Sequence, residues 1–162
     1  MKKKDYTKDD KGVMKMRELL NDVPGTVMLA TDLEKIPFSV CPMTLQQIDE
    51  QGDLWIFAAR DSDHFKDIER DNRVQLMYFD ESNQKYVSLF GNATHIVDVH
   101  KVNELWCVSL NEWFDGKKDP NLVLLNINIE NAYYWDNGVK KTVSLFGNEN
   151  KAEKGHINLQ NH

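Results

Sequence analysis

Six consecutive residues without a polar side chain, Leu54-Trp55-Ile56-Phe57-Ala58-Ala59, constrain this chain more than any other stretch. The run is too short for a typical helix and contains two large aromatics, so it predicts a strand buried on both faces. The turn signal Gln51-Gly52-Asp53 precedes it, and Arg60-Asp61-Ser62-Asp63 follows, a cluster that favours a helix cap over a helix interior. Phe65, Ile68 and Glu69 then recur at helical spacing, predicting a helix from about Asp63 to Asp71 with Asp61 or Ser62 as N-cap. A strand that runs into a helix N-terminus aims free backbone N–H groups at one point, which suits an anion. Arg60, Ser62, His64 and Lys66 could add cationic or hydroxyl donors there. On this stretch alone the stronger reading is a capped helix with solvated charges, and Asp61 and Asp63 support it because they would repel a phosphate.

A chain of 162 residues fits one domain with a real core. The net charge of −6 argues against a nucleic-acid groove, which needs a basic face, but not against a small anion held by local donors. No apolar run approaches membrane-spanning length. The lysines near the start are not followed by an apolar core, so no signal peptide is expected and the expected compartment is the cytoplasm. Cys41 and Cys107 are too few for a disulfide framework and are expected to be reduced packing groups.

Three segments are expected: a solvated tail over residues 1–11, one domain over 12–148, and a polar tail over 149–162. Val13, Met16, Leu19 and Leu20 predict a helix that stops at Val23-Pro24-Gly25. Thr26–Thr31 and the extended stretch 36–47 read as a hairpin, with Pro37 and Pro42 opposing a regular central strand across the second arm. Strands are expected at Val74–Phe79, Tyr86–Phe90, Ala93–Val97, Leu122–Ile127 and Ala132–Trp135. Gly91-Asn92 marks a bulge or tight corner, and Val102, Leu105, Trp106 and Leu110 place helical periodicity across Val99–Phe114. The hexapeptide Val87–Asn92 recurs exactly as Val143–Asn148, but the flanks differ and there is no third copy, so it reads as chance reuse and not as a repeat architecture. The fold class is therefore mainly β, an antiparallel barrel with helices packed outside.

No glycine-rich phosphate loop, GxSxG elbow or HExxH pair is present, and the five histidines are scattered. No metal site is expected. Any reaction would fall to an organic cofactor.

Several pieces occur in a telling order: Met28-Leu29-Ala30-Thr31, Pro42-Met43, Gly52–Phe57, Ser62, Ile68, Asn72, Val74–Asp80, Tyr86-Val87-Ser88, Gly91 and Ile96-Val97-Asp98. Glu104-Leu105-Trp106, Trp113-Phe114, Asp119-Pro120 and Tyr134-Trp135-Asp136 complete the set. In this order the chain resembles the general-stress-protein branch of the pyridoxamine 5′-phosphate oxidase-like flavin-binding split barrels, over about Val13 to Trp135. The resemblance implies a split-barrel homodimer with flavin mononucleotide (FMN) at each of two subunit interfaces. It implies that Cys41, Pro42, Met43 and Thr44 lie along the isoalloxazine ring, and that Ala58, Ala59, Arg60, Ser62 and His64 hold ribityl and phosphate, with Lys66 beside them. Trp106, Trp113 and Phe114 match positions near the partner's flavin; simple core or dimer packing is the alternative for each. The chain departs from the family's usual residues at Cys41, at Ala58-Ala59 and at His64, where the family often carries Arg or Ser, Thr-Ser, and Lys.

The expected activity is hydride transfer through the flavin between a nicotinamide or other reduced donor and a small acceptor. The alternative is a non-catalytic flavin-binding or redox-sensing stress protein, and FAD or a deazaflavin are the alternative cofactors. Trp55 and Phe57 are expected to be structural, and His64 is expected to make flavin binding depend on pH.

Overall fold

The computed structural model describes residues 10–136 and 143–145. The apolar run forms strand β3 (Leu54–Ala59), flanked in the sheet by β2 (Ser39–Ile48) and β6 (Leu122–Trp135). The remaining strands are β1 (Gly25–Thr31), β4 (Arg73–Asp80), β5 (Lys85–Ile96) and the two-residue β7 (Val143–Ser144). All pairings are antiparallel, in the order β3-β2-β1-β4-β5-β6-β7, and β3 also pairs with β6. That last pairing closes a six-stranded barrel, the expected split barrel with its helices outside. These are α1 (Asp10–Leu19), α2 (Asp63–Arg70) and α3 (Val99–Leu105).

β3 is buried on both faces, as its composition predicts. Leu54, Ile56 and Ala58 fill the barrel interior with Leu29, Leu76, Leu89 and Leu125. Trp55 and Phe57 point outward into a second cluster with Leu110, Phe114 and Leu124. The Trp55 indole donates to Asp49 Oδ2 at 2.9 Å, and the Lys101 ammonium lies 4.7 Å from its ring centroid. Both aromatics are therefore core residues, as expected.

The structure revises several local expectations. α1 takes in Asp10 and Lys11, which the sequence assigns to the tail; the rest of that tail and the expected C-terminal tail lie outside the described residues. β2 runs unbroken through Pro42, which pairs with Met28 on one side only. β3 joins β2 only beyond it, at Leu45–Ile48, so at Pro42 the strand has a ladder partner on the β1 side alone, the edge setting in which proline is tolerated. β5 is one strand, not two, with its register shift against β6 between Phe90 and Gly91; a Cβ on Gly91 would lie 2.0 Å from the Asn128 carbonyl oxygen, so this crossing requires glycine. β6 likewise runs through the polar stretch 126–131, because Asn126 and Asn128 point outward and donate to Asp53.

The expected helical stretch after β5 divides into α3 and a 3₁₀ turn at Val108–Glu112. Trp106 is extended between them and packs edge-on to Phe57, ring centroids 6.2 Å apart. The break lets Trp106, Leu110 and Phe114 all reach the outer cluster.

The recurring hexapeptide has a structural counterpart. Val87 and Ser88 pair with Tyr134 and Tyr133 on one edge of β6, while Val143 and Ser144 pair with the same two residues on the other. Leu89 is opposite Ala132, and the Leu145 N–H donates to the Ala132 carbonyl at 2.7 Å. The described parts of the two copies, Val87–Leu89 and Val143–Leu145, thus do the same backbone work without forming a repeat.

Candidate functional site

The barrel is closed between β3 and β6 and parted between β2 and β3. Six consecutive pairs join β3 to β6, from Leu54–Ile127 to Ala59–Leu122. Three pairs, in the segments Leu45–Ile48 and Leu54–Ile56, join it to β2. Beyond them Ser39–Thr44 runs beside β1 alone. α2 starts from the end of β3 on this parted side.

Ser62 caps α2. Its backbone is extended, its Oγ accepts from the Phe65 N–H at 3.2 Å, and its hydroxyl donates to the Ala59 carbonyl at 2.6 Å. The cap follows from the sequence cluster that predicted it. His64, in the first turn, is half-buried, and its Nε2 is buried with no hydrogen-bond partner among the described residues. Burial pulls the His64 pKa below the ordinary histidine value, against the opposing influence of Asp67 and Asp63. Lys66 is exposed one turn on.

Asp67 ties this helix to the barrel. It accepts from Thr31 Oγ1 at 2.8 Å and from Arg70 at 2.6 Å, and Ser39 hydrogen-bonds to it as well. Burial would raise its pKa, but those hydrogen bonds and the Arg70 charge hold it below the ordinary carboxylate value. Its charge acts on both His64 and Cys41. Asp67 thereby joins two predicted site residues that lie 23 positions apart in the chain. The Cys41 thiol is pushed up by burial and then by Asp67, so it stays protonated at neutral pH.

The period of two divides the predicted ring-facing segment. Cys41 and Met43 pack toward the barrel interior, and Pro42 and Thr44 face outward and are exposed. Ala58 is buried in the interior and Ala59 packs against the outer cluster.

Arg60 turns the other way. Its Nε donates to the Pro120 carbonyl at 3.0 Å, and its own N–H donates to the Asn121 carbonyl at 2.8 Å. Its side chain lines a cavity of about 290 Å³ with Lys117 and Lys118, whose walls do not include Ser62, His64 or Lys66. The three predicted aromatics separate too: Phe114 is buried, Trp106 is half-buried on Phe57, and Trp113 is 75 % exposed.

Sequence reasoning missed Thr31, Ser39 and Asp67. Asp67 was legible only as one acid among several on α2, and its burial depends on the ends of β1 and β2 meeting it. Among the described residues, no group of three or more His, Cys, Asp or Glu side chains could hold a metal ion, and no helix is long and apolar enough to cross a membrane.

Residues 11–157 match the family described as pyridoxamine 5′-phosphate oxidase like. A 60-residue stretch is 40 % identical to general stress protein 26 of Bacillus subtilis, covering 37 % of this chain and 43 % of that protein. The structure resembles that of a general stress FMN/FAD binding protein from Xanthomonas citri, with a TM-score of 0.65 and 27 % identity over 79 % of this chain and 89 % of that one. It also resembles general stress protein 26 of Bacillus anthracis, with a TM-score of 0.65 and 24 % identity over 75 % of this chain and 92 % of that one.

Proposed function

The chain belongs to the pyridoxamine 5′-phosphate oxidase-like family, and on that premise we propose that it binds flavin mononucleotide at the parted seam and moves a hydride between a reduced donor and a small acceptor. One observation carries the placement: His64 Nε2 is buried and unpartnered in the first turn of α2. A phosphate there would satisfy it and would meet the positive end of the helix. The residues present fit such a group, with Lys66 an exposed cation on the same helix and Pro42 and Thr44 exposed on the part of β2 that β3 leaves unpaired. Ser62 contributes by fixing the helix start, since its hydroxyl proton is already given to Ala59. Flavin, when bound, supplies a hydride acceptor and donor at its N5; the chain's part is to bind, orient and exclude water.

The working unit is a homodimer. Phe79, Tyr86 and Trp135 form a cross-strand aromatic row on the outer face of the sheet, with the Phe79 and Tyr86 rings 6.0 Å apart and Phe79 63 % exposed. Such a row is exposed apolar surface suited to a second subunit. Sedimentation at micromolar concentration should show a species near twice 18.9 kDa; a monomer that binds flavin would remove the dimer claim.

Extraction of the purified protein, followed by an absorption spectrum and mass spectrometry, tests the cofactor and separates FMN from FAD or a deazaflavin. Anaerobic mixing with NADH or NADPH tests the chemistry. Saturable bleaching of the flavin band is the expected result, and its absence with every donor would leave a flavin-binding module without hydride transfer.

A further inference from the structure

On the other side of β3, the cavity beside Arg60 combines features that neither the fold nor the flavin reading requires. Its floor is apolar, formed by Ile96, Val102, Leu122 and Leu124, and Val97 and Val99 extend that surface to the rim. Val97 and Val99 are 88 % and 71 % exposed, so the apolar floor continues onto open surface. Three cations stand around this floor: Arg60, Lys117 and Lys118. They come together in a chain whose net charge is −6.

None of the three is neutralised within the described residues. Arg60 uses only its Nε, on the Pro120 carbonyl, which fixes the guanidinium plane and leaves both terminal nitrogens free. Lys117 and Lys118 make no ion pair or hydrogen bond to a described residue. The one acid in the wall, Asp98, caps α3 through Oδ1, which accepts from the His100 and Lys101 N–H groups at 3.0 and 3.2 Å, and forms no ion pair with the three cations. The remaining titratable wall residue, His95, sets its ring edge-on to Phe65 at 5.4 Å.

We propose that this cavity is a binding site for a small amphipathic organic anion, an apolar body of one or two rings carrying a carboxylate or phosphate. The apolar floor would take the body, and the oriented Arg60 fork with the two flexible lysines would take the head. A volume of about 290 Å³ admits a bicyclic aromatic acid and little more. The site is separate from the flavin seam, because its walls contain neither His64 nor any residue of β2. The inference therefore stands or falls independently of the flavin reading.

The test is an NMR titration of the full chain, with and without FMN, using 2-naphthoate, 2-naphthyl phosphate and the neutral 2-naphthylmethanol. Amide shifts are expected to concentrate at Ile96–Val102 and Leu122–Leu124, with the better anion binding at least tenfold tighter than the alcohol. The relative affinities of the two anions identify the preferred head group. Replacing both exposed lysines (Lys117→Gln with Lys118→Gln) should weaken anion binding about tenfold while leaving FMN affinity unchanged, and unshifted amides elsewhere will confirm that the variant is folded. Equal affinity for the alcohol, shifts centred on Cys41 and His64, competition with FMN, or no binding at millimolar concentration would each overturn the proposal.

Discussion

β3 has two neighbours, and the two seams they form differ in kind. Toward β6 it is paired along its whole length, with one core inside the barrel and another outside. Toward β2 it is paired at one end, and the free part of β2 carries half-buried and exposed side chains in alternation. On the β6 side β3 is covered on both faces and fully paired, so it offers no open strand edge. The parted seam leaves an open strand edge beside a helix N-terminus and keeps a buried imidazole nitrogen unpartnered. The closed seam thus carries the packing and the parted seam the flavin site proposed above, and substitutions in the two should fail differently.

The largest effect is expected in the closed seam. Trp55→Ala removes an indole packed in the outer cluster and should cost about 3–5 kcal/mol in denaturant unfolding. A variant that keeps its stability but loses FMN would show that the closed seam takes part in binding. Next is Gly91→Ala, which places a methyl group on the Asn128 carbonyl oxygen. Overpacking at so rigid a crossing should cost about 3 kcal/mol, and a crystal structure with β5 and β6 unmoved would contradict the account of the bulge.

Asp67→Asn tests the link between α2 and the parted seam. The expected loss is about 1–2 kcal/mol at pH 7, from weakening hydrogen bonds to a carboxylate. The folded pKa lies below the unfolded value, so this contribution is complete above the unfolded pKa of about 3.9 and disappears as pH falls through the folded pKa. The stability gap between native protein and variant should therefore close in acid; a gap that persists below that range would mean Asp67 acts through packing.

The smallest effect is in binding alone. Burial holds the His64 pKa down in the free protein, and a phosphate would raise it. FMN should bind more tightly below the free-protein pKa and more weakly as pH rises through the pKa in the complex, with phosphate protonation opposing this near pH 6. Titrations from about pH 6.5 to 8.5 around the ordinary histidine range should give tighter, flatter binding for His64→Lys and about fivefold to tenfold weaker, flatter binding for His64→Ala. Identical curves for all three would place His64 outside the phosphate site.

The chain's own pattern determined the elements whose cause is local. Leu54–Ala59 reads as a doubly buried strand because no polar side chain interrupts it. Ser62 reads as a cap because its hydroxyl can reach an N–H three residues on, and Gly91 reads as an irregular crossing because only glycine suits so close an approach. Tertiary structure decided what depends on distant partners. Asn126 and Asn128 resemble loop residues until Asp53 receives them, so one long strand looks like two. Trp106 continues a helical period until Phe57 offers its ring a place and the helix breaks. By sequence Arg60 groups with His64, four residues away, but the Pro120 carbonyl holds it beside Lys117 and Lys118. Local pattern reports which conformations a segment can adopt, whereas side-chain neighbourhoods depend on contacts that close only when segments far apart in the chain meet, and nothing in the local sequence marks which distant segment that will be.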